Sequence, residues 1–173
     1  MVKGVEEIWL AALDSREKGD FDEAISLAKE VVEIEEENAE AWMAIAMWSL
    51  PPPTRGKPIQ PSLQQSAKSI SALKKVILHE PENLEAWNFG GRILLDHLGM
   101  LEDALQWWEE CRVQFPKNVT PILEQIAVLV RLGLYEECAE RLVELIEGLS
   151  RLNMITLITE SDESYSKRIN AKI

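Results

Sequence analysis

One interval governs this chain. Gly99 and Gly133 stand 34 residues apart, Ala104 and Cys138 keep the same distance, and so do Ile8 and Trp42. The segments GDFDEAISLAKEVV (19–32), GMLEDALQWWEECR (99–112) and GLYEECAERLVELI (133–146) each open on Gly. An apolar or aromatic residue follows two places on (Phe21, Leu101, Tyr135), and a small one five places on (Ala24, Ala104, Cys138). A second marker runs beside the first: NAEAW (38–42), NLEAW (83–87) and NVTPI (118–122) set Asn four residues ahead of a large apolar residue. Trp42 and Trp87 are 45 residues apart, the interval plus 11, and the surplus has a home in LPPPTRGKPIQP (50–61), whose five prolines exclude regular helix. Asn83 and Asn118 are 35 apart, which leaves one surplus residue between Trp87 and Gly99. A period of this length belongs to supersecondary units that cannot bury their apolar faces alone and must stack.

The units are helical. Ile8, Trp9, Ala11, Ala12 and Leu13 cover one broad helical face, and Ala24, Ile25, Leu27, Ala28, Val31, Val32 and Ile34 cover another. Spacing and residues together resemble the tetratricopeptide repeat, a helix–turn–helix unit with a Trp-led first helix, a Gly turn, a small residue early in helix two and a Pro at the exit. Trp42, Ala46, Trp87, Gly91, Ala24, Ala104, Trp108, Pro81 and Pro116 stand at pattern positions. The resemblance implies an all-α, right-handed α-solenoid of about four hairpins. Residues 1–4 form a lead. Units follow at about 5–38, 39–83 (with the proline-rich insertion 50–61), 84–118 and 119–150, and residues 151–173 form a C-terminal cap or tail. Gly90 in place of Leu, Ser15 and Ser49 in place of an aromatic, and the proline loop in place of a turn depart from the pattern.

Charge and composition narrow the function. A net charge of −12 repels nucleic-acid backbones and anionic membrane surfaces and favours basic partners. The start, MVKGVEEIWLAALDS, lacks the apolar core of a signal peptide, and no apolar run approaches the roughly 20 residues of a membrane span. Two cysteines in 173 residues make no disulfide framework, so the expected location is cytoplasmic.

No residue set asks for catalysis. Asp20 and Asp22 in GDFDEAI sit where carboxylates cap a helix start; a calcium loop needs further oxygens at alternate positions, and EAISLA supplies none. His79 and His97 fall near helix ends, where imidazole suits the negative end of the dipole, and neither has a metal-ligand partner at the right spacing. Cys111 and Cys138 hold small core positions in adjacent units and read as inert thiols, with an oxidation-sensitive pair as the alternative. There is no phosphate-cradling loop and no nucleophile elbow. The expectation is a non-enzyme without cofactor or metal. Trp42, Trp87 and Trp108 are read as core, Trp48 as packing on Pro51–Pro53, and Trp107, turned away from its neighbour, as a boundary or contact-surface residue.

The family resemblance implies that first helices line a concave groove for peptides or helices. The groove residues expected here are Glu6, Trp9, Leu10, Leu13 and Glu17 of unit one, and Glu40, Met43, Ala44 and Met47 of unit two. Units three and four add Glu85, Asn88, Phe89 and Arg92, then Leu123, Glu124 and Ala127. Glu6, Glu40 and Glu85 recur at one place and form an acidic row along an apolar floor. The carboxylate-clamping basic cluster known in the family is missing, since Glu6, Leu10, Leu13 and Ala44 occupy its places and Arg92 stands alone. The expected function is a scaffold or adaptor that binds a peptide or amphipathic helix flanked by Lys or Arg; the alternatives are a self-associating (homo-oligomerisation) module and a regulatory subunit of an enzyme complex. In the tail, RLNMITLI is read as the start of a cap, and the basic SKRINAK as a segment able to fold into the groove or dock on a neighbour.

Overall fold

The computed structural model describes residues 4–51 and 59–150. They are helical, with no strand among them. The chain divides into two compact units at the Asn118–Val119 bond. The first holds α1 (Val5–Glu17), α2 (Phe21–Ile34), α3 (Ala39–Trp48), α4 (Leu63–His79), α5 (Leu84–Arg92) and α6 (Leu101–Gln114). The second holds α7 (Thr120–Leu132) and a further helix, α8, over residues 135–150. The cap expected over 151–173 and most of the proline insertion lie outside the described residues.

Within the first unit the strongest contacts join each helix to the next in sequence, from α1–α2 to α5–α6. That quasi-linear pattern belongs to stacked hairpins. Alanines permit the close approach: Ala12, Ala24, Ala28, Ala41, Ala46, Ala86 and Ala104 are fully buried.

The repeat is written in hydrogen bonds as well as in spacing. Asn38 accepts from the Ala41 N–H at 3.0 Å and donates to Glu35 Oε2 at 3.1 Å; Asn83 accepts from Ala86 N–H at 3.1 Å and donates to Glu80 Oε2 at 3.0 Å. The Trp42 indole N–H reaches the Glu36 carbonyl at 2.8 Å, and Trp87 reaches that of Pro81 at 2.9 Å. Asn thus caps the first helix of a hairpin while Trp, four residues on, pins the preceding turn. Asn118 N–H donates to the Phe115 carbonyl at 2.9 Å, and α7 starts later than in the other two turns, at Thr120, with Pro121 in its first turn. Between the helices of a hairpin the glycines Gly19, Gly99 and Gly133 all take positive φ, which other L-residues rarely adopt.

The acids of GDFDEAI shape the chain. Asp20 Oδ1 accepts from the Glu23 N–H at 3.1 Å and caps α2, and Asp22 lies exposed in its first turn.

The surplus residue of the third hairpin also has a structural location. From Ile93 to Leu98 helix α5 continues as a π-helix, which admits one residue more than an α-helix over the same rise. Ile93, Leu94 and Leu95 are all buried there.

Candidate interaction cleft

Helical periodicity gathers the side chains of one cleft. On α3, Glu40, Met43, Ala44 and Met47 share a face at steps of three and four, and on α1 Trp9 and Leu13 do the same. These six, with Ala39, Trp48 and the turn between α4 and α5 (Glu80, Asn83, Glu85), line a cleft of about 380 Å³. Trp9 and Trp48 stack across it, ring centroids 5.9 Å apart and planes inclined by 12°. The floor is methionine, leucine and indole; Glu40, Glu80 and Glu85 stand at the margin, and no Lys or Arg lines it. The Asn83 amide steadies Glu80 from one side. Such a surface suits an apolar side chain flanked by cations, because methionine adapts its shape and the carboxylates set the sign of the field.

The structure brings together seven of the expected groove residues: Trp9, Leu13, Glu40, Met43, Ala44, Met47 and Glu85. Glu6 and Leu10 are exposed on α1 outside the cleft lining; Asn88 and Phe89, half-buried, and exposed Arg92 on α5 do not line it either. Glu17 is likewise exposed outside it. Glu6, Glu40 and Glu85 all occupy first turns, of α1, α3 and α5, but only the latter two border the cleft. Leu123, Glu124 and Ala127 belong to the second unit, where Leu123 and Ala127 are exposed and Glu124 is half-buried. Trp48, Glu80 and Asn83 line the cleft without having been assigned to it. Glu80 and Asn83 sit in the repeat turn whose register the Asn markers define, so that signal was available.

Two expectations for tryptophan are corrected. Trp107 is buried: its indole N–H donates to the Trp87 carbonyl at 2.8 Å, and its ring meets that of Trp87 edge-on at 5.2 Å. Trp108 is buried beside it. Adjacent helical residues diverge by about 100°, yet both are accommodated because Gly90 lies under the Trp107 ring and Gly91 under that of Trp108, where any Cβ would overlap them. Trp48 stacks on Trp9; of the prolines expected beside it, Pro51 lines a cavity together with Trp48, and 52–53 lie outside the described residues. Trp42 is half-buried rather than core, with Lys75 Nζ 5.9 Å above its ring and bonded to Glu36 at 2.8 Å. That ion pair draws the Glu36 carboxyl below its ordinary range, first through the hydrogen bond and then through the charge of Lys75.

Two larger cavities carry a different chemistry; a third, of about 470 Å³ at the α2–α3 turn, is acidic, lined by Glu35, Glu36 and Glu37. One of about 850 Å³ between α2 and α4 sets Asp22 against Lys29 and Lys68, with Ser26, Ser71 and Gln65 among its further polar residues, and shares Trp48 with the cleft. Another, of about 580 Å³ between α4 and α6, mixes Lys74 with Asp103 and Glu110. Neither has the single-signed rim of the cleft. Cys111 is fully buried, and desolvation pushes its thiol up to about 12; Cys138 is buried in the second unit, and both are free thiols. His79 and His97 lie in last helical turns. Among the described residues, no three His, Cys, Asp or Glu side chains converge on a metal position, and no helix is long and apolar enough to cross a membrane.

No family model matches the sequence, and no curated protein sequence does. Solved structures do match. The chain is similar to MamA at 17% identity, over 86% of this chain and 80% of that one, with a TM-score of 0.61. It is similar to MamA from Desulfovibrio magneticus RS-1 at 15% identity, over 83% and 75%, with a TM-score of 0.56. A MamA structure labelled AMB-1 gives 15%, 83% and 72%, and 0.61. At such identities the likeness establishes fold: an all-α, tetratricopeptide-like array of helical hairpins.

Proposed function

We propose that this chain is a non-catalytic protein-interaction module whose cleft between α1, α3 and the α4–α5 turn takes a short apolar segment, peptide or amphipathic helix, flanked by Lys or Arg. The observation that carries the proposal is the union of an apolar floor (Leu13, Met43, Met47 and the Trp9–Trp48 stack) with a rim of three carboxylates and no cation. Stacked hairpins hold that surface ready before binding, so little ordering free energy is lost when a partner buries apolar area on it. The acidic rim accelerates encounter with a basic segment and rejects acidic ones. The fold shared with MamA adds a scaffold suited to such a surface and adds no chemistry.

The test is selection of a displayed random-peptide library on the full chain. Enriched peptides carry apolar residues next to Lys or Arg and lose binding to Leu13→Glu/Met47→Glu. Both positions are partly open to solvent, 37% and 48%, so charging them leaves the fold intact. Enriched peptides that bind this variant unchanged would place the binding surface elsewhere.

A further inference from the structure

Helix α4 breaks the charge pattern of the chain. Leu63–His79 holds Lys68, Lys74, Lys75 and His79 and neither Asp nor Glu, whereas every other described helix holds at least one carboxylate, in a chain at −12. Its outer face also carries apolar surface. Leu63 and Leu78 are 70% and 67% exposed, and exposed Ala67 and Ser71 stand between them. At about 100° per residue the four fall within an arc of roughly 80°, along about 22 Å of helix. Lys68 flanks them on the α2 side, where it lines the larger cavity, and Lys74 lines the cavity on the α6 side. Lys75 is held by Glu36, but Lys68 and Lys74, both exposed, form no ion pair among the described residues. This face looks away from the cleft, since α3 turns Met43 to the cleft and Ile45 to the cavity beside Lys68.

We propose that the outer face of α4 docks an acidic amphipathic helix of a partner protein. The partner's apolar residues cover Leu63 and Leu78, and a carboxylate on each of its flanks meets Lys68 and Lys74, about 9 Å apart along the axis of α4. Charge complementarity selects the occupant. The neighbouring helices set its width: Asp22 stands across the first cavity and Asp103 and Glu110 across the second, so the positive strip is one helix broad. A membrane or a nucleic-acid duplex would press phosphates on those acids as well as on the lysines. A single helix, about 10 Å across, rests on α4 alone. A second copy, itself at −12, adds repulsion over the rest of both surfaces. The inference does not depend on what the cleft binds.

The experiment is selection of a displayed helical-peptide library on the full chain carrying Leu13→Glu/Met47→Glu, which removes the cleft as a competitor. Enriched helices carry an apolar stripe with Asp or Glu on both flanks. Lys68→Glu/Lys74→Glu weakens their binding about tenfold, and exchanging the peptide acids for Lys restores binding to that variant. Circular dichroism checks the fold of each variant; should the Glu pair unfold the chain, Lys68→Gln/Lys74→Gln decides in its place. Sedimentation of the chain alone and flotation with phosphatidylserine vesicles run beside the selection. No enrichment, enrichment of helices without acids, or binding unmoved by the Lys68 and Lys74 substitutions overturns the proposal. So does self-association or vesicle binding that those substitutions abolish, by making a second copy or a lipid surface the occupant.

Discussion

The indole N–H of Trp107 meets the backbone carbonyl of Trp87 at 2.8 Å while its ring lies over the bare Cα of Gly90. Two consecutive glycines receive two consecutive tryptophans, and this lock joins α5 to α6. Gly91→Ala therefore pits a helix-propensity gain of about 1 kcal/mol against overpacking of about 1–3 kcal/mol at a ring with 1% exposure. Overpacking wins, since a buried indole has no free space to swing into. Urea titration should show a lower midpoint for Gly91→Ala and for Gly90→Ala; midpoints equal to the parent would mean that the rings move aside.

The duplicated Asn turns yield a test of the repeat itself. Asn38→Ala and Asn83→Ala each remove an N-cap, at a cost of about 1 kcal/mol. The two caps share no partner, so the double variant should lose the sum of the single losses. A silent Asn83→Ala would mean that the two turns, alike in geometry, differ in energetic role.

Glu36 titrates below the ordinary 4.5 because Lys75 holds its carboxylate. A depressed folded pKa means that the pair's contribution is complete above the unfolded value and is lost as pH falls through the folded one, so the loss lies in acid, below 4.5. Carboxyl NMR should show the Glu36 midpoint rising toward 4.5 in Lys75→Met. A midpoint unmoved by the substitution would remove Lys75 as the cause.

Cys111, pushed up to about 12 by burial, stays a thiol far above neutral pH. In a Cys138→Ser background an aromatic disulfide reagent at pH 9 should label it only as fast as the chain opens, with labelling tracking the urea transition. Rapid labelling of the folded protein would place the sulfur at the surface.

The hairpin array was legible in the sequence because its markers are local: Asn caps, glycine turns and small residues at helix crossings each act within one unit. Even the π-helical turn at Ile93–Leu98 was foreshadowed by the surplus residue before Gly99. Trp107 was not legible. Angular divergence correctly separates neighbours on a helix, but it ignores a partner helix that has cleared space for both, as Gly90 and Gly91 do. Phe89 and Arg92 lie outside the cleft lining for a different reason. They follow Glu85 on a first helix, yet the cleft ends at the first turn of α5, a boundary set by stacking between hairpins rather than by the pattern within one. Trp48 escaped because its stacking partner, Trp9, lies in the preceding hairpin.

The π-helical stretch has a bearing on how this molecule tolerates change in length. An added residue there was taken up by the backbone's own ladder, between Trp87, which anchors one end of the hairpin, and Gly99, which reverses the chain at the other. The slack between those anchors is already used. Further insertions in that hairpin would twist one anchor out of line, whereas the stretch 50–61, with five prolines that exclude regular helix, already carries the sequence's larger surplus. Natural or engineered additions belong in the latter.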